Sequence, residues 1–296
     1  MRHVYQCPLR WADMDMLGHV NNVTYVDYLQ EARVDMFARH APFRGGEELA
    51  EGVVVVRHEV DFVAPLVYRR EPVTIESWVT RVRGATFSLD YEIFDETDEG
   101  RRVYLRATSV LAPYVFSEER PRRITGAERE VLERFQEPGE QRRALPRVSA
   151  PATSHRMDLK VRFSDVDVYG HVNNVKYFEY FQEARIQYVM DMLAQSGIEW
   201  REHVVARVDV DYRRPILLRQ EPYDVHSWVS QVGTKSFTIS GEVRDGTGDG
   251  AADGTGDGGT VLARSDVVMV TFDRQAQQAA PMRDGQRARL LAALAE

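Results

Sequence analysis

Residues 10–33, RWADMDMLGHVNNVTYVDYLQEAR, and residues 162–185, RFSDVDVYGHVNNVKYFEYFQEAR, decide how this chain is built. Fifteen of the 24 aligned positions are identical at a constant offset of 152. The identities include carboxylates, a glycine, a histidine, two asparagines, a glutamate and an arginine. Many apolar choices can keep a core, but a run of polar groups at fixed spacing asks for a chemical reason. An internal repeat also sets the architecture before any other reading.

The repetition runs on past this stretch. At an offset of 150, Val56 to Pro65 (VRHEVDFVAP) meets Ala206 to Pro215 (ARVDVDYRRP), and Ser77-Trp78-Val79 meets Ser227-Trp228-Val229. Between the copies lies EPGEQRRALPRVSAPATS, rich in proline, small and charged residues and without a period. The expected organisation is a first domain over 1–137, a linker over 138–153 and a second domain over 154–296.

Each half changes period once. Residues 3–9 and 155–162 suggest short strands, and the polar motif that follows suggests a loop. Helical spacing then predicts helices from about Val20 to His40 and Val172 to Gln195. Val23, Val26, Leu29, Val34 and Phe37 mark one apolar stripe; Val175, Phe178, Phe181, Ile186, Val189 and Leu193 mark the other. Runs rich in Val, Ile, Tyr, Phe, Thr and Trp predict four strands near 53–63, 72–83, 85–94 and 101–116, and four more near 203–213, 222–232, 235–244 and 260–272. The expected class is α+β, each half a long helix on a five-stranded antiparallel sheet. One helix covers five twisted strands poorly, so the two halves are expected to pair as a pseudo-dimer.

The bulk numbers exclude several classes. The 296 residues suffice for two ordinary domains, and 43% hydrophobic with 28% charged residues is a globular composition. No apolar run approaches the ~20 residues that span a bilayer, and the first residues lack an apolar signal segment. A single cysteine, Cys7, forbids an intramolecular disulfide and fits a reducing cytoplasm. A net charge of -8 argues against nucleic acid and anionic membranes as partners. Cys7 has no counterpart in the second half, where Leu159 falls, so a buried strand thiol is expected rather than a nucleophile. No Cys/His cluster has metal-ligand spacing and no phosphate-cradling glycine loop occurs, so no metal and no cofactor are expected.

Residues 245–259, DGTGDGAADGTGDGG, interrupt the last hairpin of the second half, which the first half spans with DETDEGR. Calcium-binding repeats share such Asp/Gly spacing but need an apolar residue per turn, which is missing, so a solvated loop is expected. Deleting residues 246–258 and closing the hairpin should leave turnover and Tm nearly unchanged, since long loops add little to stability. A calcium-dependent rise in Tm that the deletion abolishes would show a metal site instead.

The strand-loop-helix segment D-x-D-x-x-G-H-V-N-N-x-x-Y resembles the hotdog-fold thioesterases of the 4-hydroxybenzoyl-CoA thioesterase type, bacterial long-chain acyl-CoA thioesterases above all. Plant acyl-ACP thioesterases share both the HVNNVKY string and the tandem architecture. The resemblance covers about 130 residues in each half. It implies hydrolysis of an acyl-CoA to the free acid and coenzyme A, in sites formed where two hotdog repeats meet. The second carboxylate of D-x-D is the catalytic one in the first family, which carries over to Asp15 and Asp167. A backbone N–H seven residues later, at Asn22 and Asn174, is its oxyanion donor. Thioester hydrolysis needs an activated water or a carboxylate nucleophile, with donors for the oxyanion. Gly18 and Gly170 would let backbone approach the substrate. The rival reading of Asp15 and Asp167 is turn formation or helix capping, which aspartate does often.

Asp13 and Asp165 are read as loop braces. His19 and His171 stand where the plant enzymes place a catalytic histidine, but those enzymes carry an asparagine two residues earlier, where this chain has Leu17 and Tyr169. A packed, hydrogen-bonded histidine is the other reading. Tyr25, Tyr177, Glu31 and Glu183, further along the helices, are read as supporting residues. The expected partner is an acyl-CoA or acyl-ACP substrate, with further homo-oligomerisation left open. The rival class is a non-catalytic acyl-thioester binder.

Overall fold

The alternating and the 3.6-period segments fold as two units of one plan in the computed structural model, which describes residues 1–40, 52–140, 142–197, 200–246, 259–273, 275–276 and 278–294. The units are Met1–Arg143 and Ala144–Glu296. Residues 247–258, which hold most of the Asp/Gly stretch, lie outside the described residues.

In the first unit the order is β1 (His3–Cys7), α1 (Thr24–His40), β2 (Val53–Phe62), β3 (Val73–Val82), β4 (Phe87–Thr97), β5 (Gly100–Val115), a two-residue β6 (Arg120–Pro121) and α2 (Gly126–Arg134). The sheet is antiparallel throughout, in the order β1-β3-β4-β5-β2. The second unit repeats it with β7 (His155–Leu159), α3 (Lys176–Ser196), β8 (His203–Tyr212), β9 (Tyr223–Val232), β10 (Ser236–Asp245), β11 (Thr260–Asp273), β12 (Gln278–Ala279) and α4 (Asp284–Ala292). Its sheet runs β7-β9-β10-β11-β8. Each unit is therefore a long helix on a five-stranded antiparallel sheet, the α+β arrangement of the hotdog fold.

The long helices begin four residues later than the sequence expectation, at Thr24 and Lys176, because Asn21 and Asn173 turn the chain before them, and their buried face also differs. Val34 is 52% and Ile186 44% exposed, so neither belongs to the buried stripe. Leu29, Ala32, Arg33 and Met36 are buried on α1, as are Phe181, Ala184 and Arg185 on α3. The sheet face beneath α1 is apolar, with Val60, Ile75, Leu89, Ile93 and Leu105 fully buried. At ~25 cal/mol per Å² of apolar surface removed from water, such a layer is the main stabilising term of each unit. On α3, Phe181 presses on β10 so closely that a Cβ at Gly241 would lie 3.0 Å from its ring. At the matching positions the first unit pairs a smaller Leu29 with a larger Tyr91, both buried.

The other sheet face carries buried charge. Asp90 on β4 accepts from Thr108 Oγ1 on β5 at 2.8 Å, and burial holds the Asp90 carboxyl above its ordinary pKa. The second unit exchanges the partners: the hydroxyl, Ser240, is on β10 and the carboxylate, Asp266, on β11. The segment joining the repeats lies on these faces within each unit. Arg142 pairs with Asp61 at 2.7 Å and also reaches Thr108. Arg147 pairs with Asp211 at 2.5 Å, and the Val148 carbonyl accepts from Arg264 at 2.8 Å.

Three β-bulges recur at matching positions, at Val56, Thr80 and Tyr104 in the first sheet and at Ala206, Ser230 and Leu262 in the second. A bulge leaves one residue outside the ladder. The freed Tyr104 carbonyl accepts from Val63 and Ala64, and that of Leu262 from Arg213 and Arg214. These bonds fix the loop that follows β2 and β8, and that loop holds the candidate site.

Candidate active site

The polar motif folds in each repeat as a tight hairpin between the first strand and the long helix. In the first, Asn21 N–H donates to the Asp13 carbonyl at 2.9 Å, Asp15 N–H to the His19 carbonyl at 2.9 Å, and Gly18 N–H to the Asp15 carbonyl at 3.1 Å. Asp at the first and Gly at the fourth position of a turn are the residues this geometry favours. Gly18 then takes φ 80°, and Gly170 φ 81°, a left-handed conformation that glycine adopts without steric cost. The second repeat reproduces these bonds at 2.8, 2.8 and 3.1 Å through Asn173, Asp167 and Gly170. A Cβ at Gly18 or Gly170 would meet nothing within 4 Å, so Gly18→Ala should cost only the backbone term, about 1–2 kcal/mol, measurable as a urea-midpoint shift.

The hairpin is tied to the sheet through one residue. Leu66 accepts from Val20 N–H at 2.8 Å and donates its own N–H to the Tyr25 hydroxyl at 3.0 Å. Ile216 does the same between Val172 and Tyr177, at 2.9 and 3.0 Å. Burial drives the phenols of Tyr25 and Tyr177 far above their ordinary pKa, so both stay neutral. The helix start is set by Asn21 and Asn173, whose side-chain oxygens accept from Val23 and Val175 N–H at 2.9 Å.

Asp13 and Asp165 are sunk beneath the hairpin, 4% and 2% exposed. Asp13 accepts from Arg10 N–H at 2.8 Å, Arg10 Nε at 3.0 Å and the Tyr28 hydroxyl at 2.5 Å. Asp165 accepts from Arg162 N–H at 2.9 Å and the Tyr180 hydroxyl at 2.8 Å. Tyr28 and Tyr180 are the site residues that the sequence reading passed over. Their signal was present, since both stand among the fifteen identities.

Asp15 and Asp167 lie higher and half-buried. Each uses Oδ1 to close the turn, Asp15 on Leu17 N–H at 2.8 Å and Asp167 on Tyr169 N–H at 2.9 Å and His171 N–H at 3.4 Å. The turn-forming role is therefore real. It occupies one oxygen only: Oδ2 of each meets no donor among the described residues. The Asn22 N–H likewise has no acceptor there. The Asn174 carbonyl accepts from the Tyr212 hydroxyl at 2.8 Å, a bond the first repeat lacks because Phe62 stands at that position.

The imidazoles of His19 and His171 are half-buried, and that of His19 makes no hydrogen bond, ion pair or ring contact among the described residues. Glu31 and Glu183 are exposed. Large apolar side chains stand exposed around each turn, Trp11, Met16 and Leu17 in one repeat and Phe163, Val168 and Tyr169 in the other. Cys7 is buried at the end of β1, and burial pushes its thiol up to about 12, which removes it as a nucleophile. Among the described residues no group of His, Cys, Asp or Glu is placed to hold a metal, and no helix is long and apolar enough to cross a membrane.

Residues 9–135 and 161–290 each match the family model of the thioesterase-like superfamily. The chain is 37% identical over 84 residues to the uncharacterized protein YsmA of Bacillus subtilis, and 35% identical over 88 residues to the long-chain acyl-CoA thioesterase FadM of Escherichia coli. These matches cover 27% and 28% of this chain, and the chain spans 54% and 63% of the length of those two relatives. The fold is shared along nearly the whole chain with a 12:0-ACP thioesterase from Umbellularia californica (TM-score 0.70, 17% identity, 92% of this chain and 94% of that one). An acyl-ACP thioesterase from Bacteroides thetaiotaomicron is similar in the same way (TM-score 0.62, 16% identity, 90% and 97%).

Proposed function

The chain belongs to the thioesterase-like superfamily, and from that premise we propose that it hydrolyses an acyl-CoA thioester to a carboxylic acid and coenzyme A, with Asp15 and Asp167 as the catalytic carboxylates. The observation that carries the proposal is the duplicated hairpin. It holds a carboxylate through one oxygen and leaves the other without a donor, directly before the start of a long helix.

In that setting Oδ2 takes a proton from a water whose oxygen attacks the thioester carbonyl. The developing oxyanion accepts from the Asn22 amide in the first repeat and from that of Asn174 in the second. Collapse breaks the C–S bond and releases the thiolate, which takes up the proton. Direct attack by the carboxylate, with water cleaving the resulting anhydride, uses the same atoms. Asp13 and Asp165 hold the hairpin in place through Tyr28 and Tyr180. The apolar side chains around each turn suit the acyl end of such a substrate.

Thiol release from a chain-length series of acyl-CoAs, with one acyl-ACP beside it, tests the reading. Turnover of an acyl-CoA supports it. Turnover of the acyl-ACP alone moves the carrier to a protein, and binding without release makes the chain a non-catalytic thioester binder.

A further inference from the structure

The two hairpins are close copies, but the ground beside them is not. Where the first repeat has Pro8, Val63 and Ala64, the second has Lys160, Arg213 and Arg214. One exchange runs the other way, Arg70 against Gln220. Lys160, Arg213 and Arg214 are all exposed, and none makes a side-chain hydrogen bond or ion pair among the described residues. Other arginines of the same unit are ion-paired, among them Arg207, Arg219 and Arg244.

Their place is fixed by the frame already described. Arg213 and Arg214 both donate backbone N–H to the bulge carbonyl of Leu262. Tyr212, the residue before them, bonds the Asn174 carbonyl at 2.8 Å. Ile216, two residues after Arg214, accepts from Val172 at the base of the hairpin. Lys160 follows β7 and precedes Arg162, whose N–H is held by Asp165. Lys160 thus stands just before the second hairpin and Arg213 and Arg214 in the loop bonded to its base, and neutral residues stand at the same places by the first.

We propose that Arg213 and Arg214, in the loop bonded to the base of the second hairpin, form a phosphate-binding subsite that makes the second repeat the carrier-binding one, with Lys160 adding positive charge on the hairpin's other flank. The ligand chemistry is the phosphate of a thioester's carrier, either the nucleotide phosphates of coenzyme A or the phosphodiester of phosphopantetheine. Guanidinium groups bind phosphate oxygens through paired donors, and the attraction is screened by salt. The inference rests on the thioesterase reading and assigns its two sites unequal work. The second repeat takes the charged substrate, and the first lacks these cations.

The test replaces the second repeat's residues with those of the first. Arg213→Val with Arg214→Ala is expected to raise KM for an acyl-CoA roughly tenfold, about 1.4 kcal/mol, at nearly constant kcat. KM for the same acyl group on unphosphorylated pantetheine should not change. An acyl-phosphopantetheine separates the sources: a penalty shared with it assigns the subsite to the phosphate attached to pantetheine, and a penalty confined to acyl-CoA assigns it to the nucleotide. Calorimetric binding of free coenzyme A to wild type and variant gives a readout that needs no turnover, and the Arg213→Gln, Arg214→Gln variant guards against a packing effect. Unchanged KM and unchanged coenzyme A affinity, or an equal penalty on acyl-pantetheine, overturns the subsite. Absence of turnover on every thioester, with coenzyme A binding that still depends on the arginines, overturns the hydrolase reading alone.

Discussion

Asp15→Asn combined with Asp167→Asn is expected to cut turnover on the best acyl-CoA about a hundredfold or more, the scale of losing a general base. Asparagine keeps the side-chain oxygen that closes the turn on Leu17 or Tyr169, so the hairpins should stay folded. What is lost is the second oxygen as a proton acceptor or nucleophile. Substrate affinity should survive, since a neutral amide does not obstruct an apolar acyl chain. Each single variant should retain the other site's share of turnover. If the cationic subsite beside the second hairpin works as inferred, Asp167→Asn is the more damaging. Thiol release at saturating substrate reads the loss of turnover, thiol release well below KM reads the difference between the two sites, and circular dichroism checks the fold. A folded double variant with undiminished turnover would remove these aspartates from the chemistry and turn attention to His19 and His171.

Asp13→Ala is expected to do the opposite, lowering stability by about 3 kcal/mol while the folded fraction keeps its kcat. The buried carboxylate receives three hydrogen bonds, from Arg10 N–H, Arg10 Nε and the Tyr28 hydroxyl. Hydrogen bonds to charged groups contribute about 1.5–3 kcal/mol each, and buried donors left behind bear a desolvation cost. The guanidinium of Arg10 is exposed and rehydrates, so the phenol and the backbone amide account for most of the loss. Asp165→Ala should behave alike through Tyr180. Urea midpoints compared with wild type, beside kcat well below the midpoint, separate the two roles. Unchanged stability with lost turnover would make Asp13 part of the chemistry.

Much of the frame was legible in the chain because it rests on period. Ten-residue runs of β-branched and aromatic residues marked the strands, and constant offsets of 152 and 150 showed two copies of one plan. The short helices α2 and α4 were not legible. Nine residues give two turns, and only Val131 and Leu132 in one, and Gln286 and Leu290 in the other, are buried. That is too few to establish a stripe. The apolar stripes misled at Val34 and Ile186 for a related reason. Hydropathy ranks valine and isoleucine above arginine, yet the packed flank of each helix is built on Ala32 and Arg33, and on Ala184 and Arg185. In the hairpin the residue types and a different role for each aspartate of a pair were readable, but the physical basis of that division was not legible. It depends on depth, and only Tyr28 and Tyr180 reaching across fifteen residues reveal which carboxylate is sunk.

Two exchanges between the sheets have a consequence for how the halves came to differ. Asp90 with Thr108 became Ser240 with Asp266, the acid and the alcohol trading strands. The large side chain likewise sits on the sheet at Tyr91 in one copy and on the helix at Phe181 in the other. Neither difference is a free single step. A tyrosine in place of Gly241 would collide with Phe181, and a lone change at Asp90 would take away the carboxylate that accepts from the Thr108 hydroxyl. Each difference is a matched pair, so a chimaera assembled residue by residue from the two copies is expected to be less stable than one in which whole pairs move together. The ancestry of this chain is written in such couples rather than in its individual letters.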